Sequence, residues 1–309
     1  MTCGSRFLEH VIKIRPKWLP RDVQFSQITC AISNVVFQVS CKEERLLMRI
    51  YGSTDHGLFN RAQEVQRACS LASKGFGAEV LHTFEEGRVE AWIHGRAPSN
   101  EDMRSPECMA NIAAKLRSMH DRTGLNHNDL HRNNMIVRTG GELEFLDFEY
   151  TGPADPTYDI ANHFNEWMYP YNGENPHLFQ LGLYPRLSQR RDFVTHYLGF
   201  TGGGKGAVID DFVEQVEGRR LDSHRFWVNW AERSGPSEFN KLYAKARRTL
   251  IPSDHFPDES SHQKDEWCKP TDEVFQGMAR TFSKMLQEAP TAAESEGLRH
   301  YQRELNGIS

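Results

Sequence analysis

The stretch from Leu125 to Tyr150 reads LNHNDLHRNNMIVRTGGELEFLDFEY. His127, Asn128, Asp129, Asn133 and Asn134 crowd one polar loop, two short apolar runs follow, and the segment closes on Asp147 and Glu149. The runs NMIVR and ELEFLD are joined by Thr139, Gly140 and Gly141, a turn with two residues that tolerate positive φ, so they predict a β-hairpin. Such a hairpin brings Asp147 back beside the loop that carries Asp129. A carboxylate in a loop, an amide five residues on at Asn134, and a second carboxylate after the hairpin then form one oxygen-rich cluster. That donor set suits Mg²⁺, which takes oxygen ligands, commonly one or two carboxylates with substrate phosphates and water. Phosphoryl transfer needs such a group, together with a carboxylate that orients the attacking hydroxyl.

The rest of the chain frames that cluster. Its 309 residues, 38% hydrophobic and 26% charged, are enough for one large domain or two lobes with a sizeable core. A net charge of -5 supplies no basic field to recruit nucleic acid or anionic lipid, which favours small-molecule chemistry. Six scattered cysteines without CxxC spacing, and a first segment without the apolar core of a signal peptide, fit a reducing, cytoplasmic setting. No apolar run approaches the roughly 20 residues of a membrane span.

Upstream, Ile28 to Ser40 and Arg45 to Tyr51 are rich in β-branched and aliphatic residues and predict two strands. Residues 59–73 place Ala62, Val65, Ala68, Cys69 and Ala72 on one helical face before Lys74-Gly75. AEVLHTF and RVEAWIHG then predict two further strands across Glu85-Glu86-Gly87. The apolar residues Cys108, Ile112, Ala113, Leu116 and Met119 recur at helical spacing, so the polar loop begins directly after a helix. In the tail, Val274, Phe275, Met278, Phe282, Met285 and Leu286 form an apolar stripe that predicts a helix near 272–288.

HNDLHRNN is similar to the catalytic loop of kinase-like phosphotransferases that act on small molecules. LDFEYTGPADPTYDIANHFNEWMYPY resembles the signature of choline and ethanolamine kinases, and the likeness spans roughly residues 20–250. The resemblance implies an α+β, two-lobed protein-kinase-like fold. Its small sheet-plus-helix lobe would take residues 1–95, a mainly helical lobe 96–252, and an extra tail 253–309. It implies ATP and Mg²⁺ as cofactors, with the nucleotide between the lobes. The implied activity is phosphorylation of choline to phosphocholine, the first step of phosphatidylcholine synthesis, with ethanolamine as an alternative substrate.

The same resemblance assigns roles. Asp129 matches the aspartate that takes the substrate's hydroxyl proton, Asn134 and Asp147 match the metal ligands, and His127 would brace the loop. Arg49 stands where the family holds ATP phosphates, Glu64 matches that residue's ion-pair partner, and Ser33 and Asn34 fall in the nucleotide loop. Asp159 is expected to be a structural hydrogen-bonding residue.

Choline's quaternary ammonium has no N–H to donate, so a site must hold it with aromatic faces and a nearby negative charge. Trp227 and Trp230 lie three apart on one helical face and match the family's aromatic pair, while Tyr171 and Glu166 match its remaining wall and its carboxylate. Phe239 and Tyr243 lie close by in sequence. EWMYPY resembles the choline-preferring branch, so the expected partner is a small amino alcohol, with a homodimer left open. Three differences from the family pattern stand out, the first being the extra tail 253–309 beyond the resemblance. Cys30 and Ala31 replace glycines of the nucleotide loop, and only DRTGLN separates the SMH helix from the HND loop. They keep open a reading of another class, a catalytically weakened relative that binds ligand or partner.

Overall fold

The computed structural model describes residues 7–30, 34–52, 61–169, 177–201, 204–235 and 237–251. The chain divides into two compact units, the first drawn from Met1–Ser99 and Lys115–Pro153, the second from Asn100–Ala114 and Ala154 onward.

The first unit is built on an antiparallel sheet of five strands, β1 (Gln24–Cys30), β2 (Asn34–Cys41), β3 (Glu44–Tyr51), β4 (Val80–Phe84) and β5 (Gly87–Ala91), in the order β1-β2-β3-β5-β4. Its core follows from period-two patterning. Phe37, Val39 and Cys41 on β2, and Leu46, Met48 and Ile50 on β3, alternate onto one face, where Phe7, Val11 and Trp18 cover them from around α1 (Leu8–Ile14). Phe37 stands opposite Met48 and Val39 opposite Leu46, so the hairpin register matches apolar to apolar. The stretch from Ile28 to Ser40, read above as one strand, is shared between β1 and β2, which pair with each other. Composition could not show this division, because both strands are rich in β-branched residues and the sequence between them, Ala31 to Ser33, carries no Gly or Pro. α2 (Arg61–Ser73) lies between β3 and β4 along the chain, where a helix is expected.

On the opposite face of β3 and β5, Arg49 is paired directly with Arg88 in register. Gly87, next to Arg88, permits this close pairing: a Cβ there would run into the carbonyl oxygen of Arg49.

α3 (Asn100–Arg104) leads into α4 (Pro106–Thr123), which ends at Gly124. That glycine has φ +66° and donates its N–H to the His120 carbonyl at 2.9 Å, a left-handed stop that few other residues adopt. Two residues later Asn126 exchanges backbone hydrogen bonds with Gly152 at 2.9 and 3.2 Å. The short DRTGLN connection is thus long enough to deliver the chain from the helix to the polar loop. The predicted hairpin is present as β6 (Met135–Val137) and β7 (Leu143–Phe145), with Met135 opposite Phe145.

The second unit is helical among its described residues: α5 (Pro156–Glu166), α6 (Leu187–Tyr197), α7 (Gly206–Gly218), α8 (Arg220–Arg233) and α9 (Glu238–Arg248). α5 starts sharply because Asp155 caps it, its carboxylate accepting from the Thr157 N–H at 2.9 Å, with Pro156 in the first turn. Its buried face is unusually polar, and Asn162 shows why that is tolerated. Its Oδ1 accepts from Ser223 Oγ and Trp227 Nε1, both at 2.8 Å, so one buried oxygen joins α5 to α8 twice. The tail helix expected near 272–288 lies outside the described residues. Among the described residues no helix is long and apolar enough to cross a membrane.

Candidate active site

The polar loop is held from beneath by His127, which is fully buried. Its Nδ1 accepts from the Asp129 N–H at 3.3 Å, so its Nε2 carries the proton and donates to the Leu146 carbonyl at 2.9 Å. One side chain thereby ties the start of the loop to the residue before Asp147. The expected bracing role is what its contacts describe.

A single turn of 3-10 helix at Arg132–Asn134, capped by His131, then aims Asn134 back at the loop. Asn134 Nδ2 donates both to the carbonyl oxygen of Asp129 and to its Oδ2, each at 2.9 Å. His131 Nε2 lies 3.7 Å from the same Oδ2. The backbone N–H of Leu146 closes the cluster on the Asn134 carbonyl at 2.9 Å. The hairpin thus returns the chain at Leu146, the residue before Asp147, to Asn134, which is itself bonded to Asp129. Asn128 and Asp147 both adopt left-handed backbone angles, φ +65° and +59°, and Asn128 is tethered by its Nδ2 donating to the Tyr150 carbonyl at 3.0 Å. Non-glycine residues rarely hold such angles unless the surroundings impose them, and they concentrate at functional sites.

Asp147 sits at the end of a network of enclosed charges. Arg49 Nη1 donates to Asp147 Oδ2 at 3.3 Å, and Arg49 Nε lies 3.9 Å from Glu90. Glu64 meets Arg88 Nη1 at 2.9 Å, and Arg88 Nε also reaches Glu90 at 2.5 Å. These contacts link two guanidiniums and three carboxylates, with Glu64 on Arg88 and Arg49 on Asp147 and Glu90. The cause is register: Arg49 and Arg88 share one sheet face side by side, so the acids must be divided between them. Burial alone would raise the Asp147 carboxyl, but the charges of Arg49 and Arg88 and the Arg49 hydrogen bond hold it below the ordinary carboxylate range. It is an anion at neutral pH. Asn34 opens β2, while Ser33 lies outside the described residues.

The second unit carries the aromatic set. Trp227 and Trp230 on α8 meet edge to face at 5.6 Å, and Trp230 meets Tyr243 of α9 edge to face at 6.2 Å. Tyr243 stacks on Phe239 at 5.5 Å and lies 6.0 Å from Tyr169. The two tryptophans differ in kind: Trp227 is buried and bonded to Asn162, whereas Trp230 is half-buried. Tyr171 lies outside the described residues. Asp159 is fully buried within α5.

Glu166, at the end of α5, is buried and accepts from Arg247 Nη2. The Arg247 guanidinium carbon lies 4.5 Å from the Tyr169 ring centroid, 4.7 Å from Tyr243 and 5.8 Å from Trp227. Arg247 was not among the residues singled out in the sequence. Its one local signal is spacing, four residues after Tyr243 on the same face of α9.

A carboxylate fixed by a neighbouring amide, a second carboxylate after a hairpin and a buried arginine on an antiparallel sheet lie within an α+β fold of the kinase-like class. A family model described as choline/ethanolamine kinase matches residues 25–124 and 122–242, and the chain belongs to that family. Probable choline kinase 3 of Arabidopsis thaliana is 30% identical over 268 residues, covering 66% of this chain and 78% of the relative. Probable choline kinase 1 of the same plant is 28% identical, covering 70% and 82%. Among solved structures, choline kinase from Cryptosporidium parvum superposes with a TM-score of 0.69 at 20% identity, covering 80% of this chain and 94% of that one. Ethanolamine kinase from Plasmodium vivax gives 0.67 at 22% identity, covering 82% and 90%. The fold is that of these kinases.

Proposed function

We propose that this protein transfers the γ-phosphoryl group of ATP to the hydroxyl of choline, with ethanolamine as a second substrate. The observation that carries the reading is the Asp129–Asn134–Asp147 cluster. Asn134 fixes Asp129 Oδ2 through its amide nitrogen, which turns its own Oδ1 away as an acceptor, and Asp147 Oδ1 is buried with no hydrogen-bond partner among the described residues. Two unengaged oxygen donors beside a carboxylate fit a hard divalent cation that completes its shell with phosphates and water. Asn134 and Asp147 would hold Mg²⁺ there. When bound, that ion neutralises charge on the transferring phosphates.

Asp129 is the base in this reading. It takes the hydroxyl proton as the substrate oxygen bonds to the γ-phosphorus and ADP leaves, and the Asn134 amide keeps its carboxylate aimed. Arg49, with a pKa kept high by Asp147 and Glu90 despite burial, stays charged throughout and is the phosphate-facing cation of the site. Glu64 acts at one remove, anchoring Arg88 beside it. Ser33 and Asn34 are proposed for the nucleotide loop, and Trp230, Trp227, Tyr171 and Glu166 for the amine pocket.

The test is an assay coupling ADP release to choline and to ethanolamine, with MgATP in excess. ADP release that depends on choline, and is lost in Asp147→Ala, is expected. A folded protein that releases ADP with neither amine would transfer the reading to a binding role.

A further inference from the structure

The amine pocket already holds a cation. Arg247 is fully buried, bonded to Glu166 through Nη2, and packed against the rings of Tyr169, Tyr243 and Trp227. Its Nη1 lies 3.4 Å from His224 Nδ1. His224 is itself fully buried, and both its burial and the neighbouring Arg247 and Arg220 charges keep it neutral, so it faces the guanidinium as an acceptor.

This arrangement changes what the pocket can offer a substrate. A carboxylate and a guanidinium removed together from water hold each other tightly, and separating them strands an uncompensated buried charge. Glu166 is therefore not a free counter-ion for an incoming amine, and one face of Tyr243 is taken by Arg247 while Phe239 stacks on that ring as well. Among the described rings of the set, Trp230 and Phe239 are half-buried, and Trp230 is not stacked on another ring. A primary ammonium entering such a place must leave water with three N–H donors and needs oxygen acceptors to receive them. A trimethylammonium group has no donors to satisfy and is attracted by an aromatic face alone.

We propose that Arg247 is a specificity-determining residue of the amine pocket: by holding the Glu166 carboxylate in a buried ion pair, it withholds that group from the substrate and biases the pocket toward quaternary over primary ammonium. The inference rests on the amino-alcohol kinase reading for its catalytic readout, and a binding measurement tests it separately.

For binding, wild-type protein is titrated calorimetrically with tetramethylammonium and with methylammonium. Tighter binding of tetramethylammonium is expected; equal affinity, the reverse order, or binding of neither overturns the proposal, whatever the protein phosphorylates. For turnover, kcat/KM for choline and ethanolamine is measured in wild type, Arg247→Lys and Arg247→Met. Arg247→Met frees the carboxylate, and the ethanolamine-to-choline ratio is expected to rise about tenfold, as befits exposing one buried anion to a cation. Arg247→Lys, which keeps the charge, is expected to stay near the wild-type ratio, and adding Glu166→Gln to Arg247→Met should return the ratio toward it. Equal losses for both amines in Arg247→Met would mark a structural ion pair and overturn the assignment. If Arg247→Met does not fold, the calorimetric comparison decides. If wild type turns over neither amine, the kinase reading fails while the ammonium preference still stands or falls on the titration.

Discussion

Arg49 Nη1 donates to Asp147 Oδ2 across 3.3 Å, joining a central strand to the end of the hairpin, 98 residues further along the chain. Both side chains are largely enclosed, 10% and 28% exposed, and Arg49 is the cation bonded to the Asp147 carboxylate, so losing it weakens what holds that charge. Arg49→Met is expected to lower stability by about 3 kcal/mol, the lower end for breaking a buried pair. It should also raise the KM for ATP. Arg49→Lys keeps a charge without the fork and should lie between wild type and Arg49→Met. Urea denaturation and ATP titration of the three proteins check both effects, and an Arg49→Met protein of wild-type stability would show that the contact carries little.

Asp129→Asn preserves shape and removes proton acceptance. Turnover of choline is expected to fall by about 10²- to 10⁴-fold. Because Asn134 donates to the carbonyl oxygen of Asp129 as well as to its side chain, the loop should keep its position, and thermal stability should change little. Near-normal turnover by the folded variant would remove Asp129 from the mechanism.

The two tryptophans of α8 should separate by phenotype. Trp230→Ala takes away a half-buried aromatic face and is expected to raise the KM for choline roughly thirtyfold, equivalent to about 2 kcal/mol for a desolvated cation-π contact, with ATP unaffected. Trp227→Ala removes a buried ring and leaves Asn162 without one of its donors, so it should cost about 3 kcal/mol or more of stability. Steady-state kinetics beside thermal melts distinguish them, and a Trp230→Ala protein that loses choline and ATP affinity equally would place that ring in the core instead.

Acid should destabilise the fold before the carboxylates titrate. Burial, then the charges of Arg247 and Arg220, drive the His224 pKa well below its ordinary 6.5, and burial brings His177 down to about 4. In the unfolded chain both groups bind a proton as the pH falls below 6.5, and in the folded protein they resist it. Stability is therefore fully present above that pH and is lost as it falls, from 6.5 to about 4 for His177 and further for His224. Each contributes a slope of about 1.4 kcal/mol per pH unit inside its window. Urea midpoints at pH 7.5, 6 and 5 should fall progressively, and His177→Gln together with His224→Gln should flatten the trend. A flat wild-type profile would contradict it.

What the sequence determined by itself was local. The glycine-bearing turn at 139–141 fixed a hairpin, the polar loop placed Asp129 and Asn134 five residues apart, and together these put Asp147 beside them, because every step depends on neighbours within about twenty residues. The strands and helices of the first unit were legible for the same reason, through period-two and 3.6-residue patterns of apolar side chains, although one run hid the division between β1 and β2. Which charges meet was decided only by tertiary structure. Glu64 faces Arg88, and Arg49 faces Asp147, because sheet register sets two arginines side by side, and no local pattern encodes the pairing of strands far apart in sequence. Arg247 reached Glu166 across 81 residues in the same way, through the packing of α9 on α8 and of α8 on α5. Buried charges must find partners wherever the packed elements bring them, and that requirement has no period along the chain.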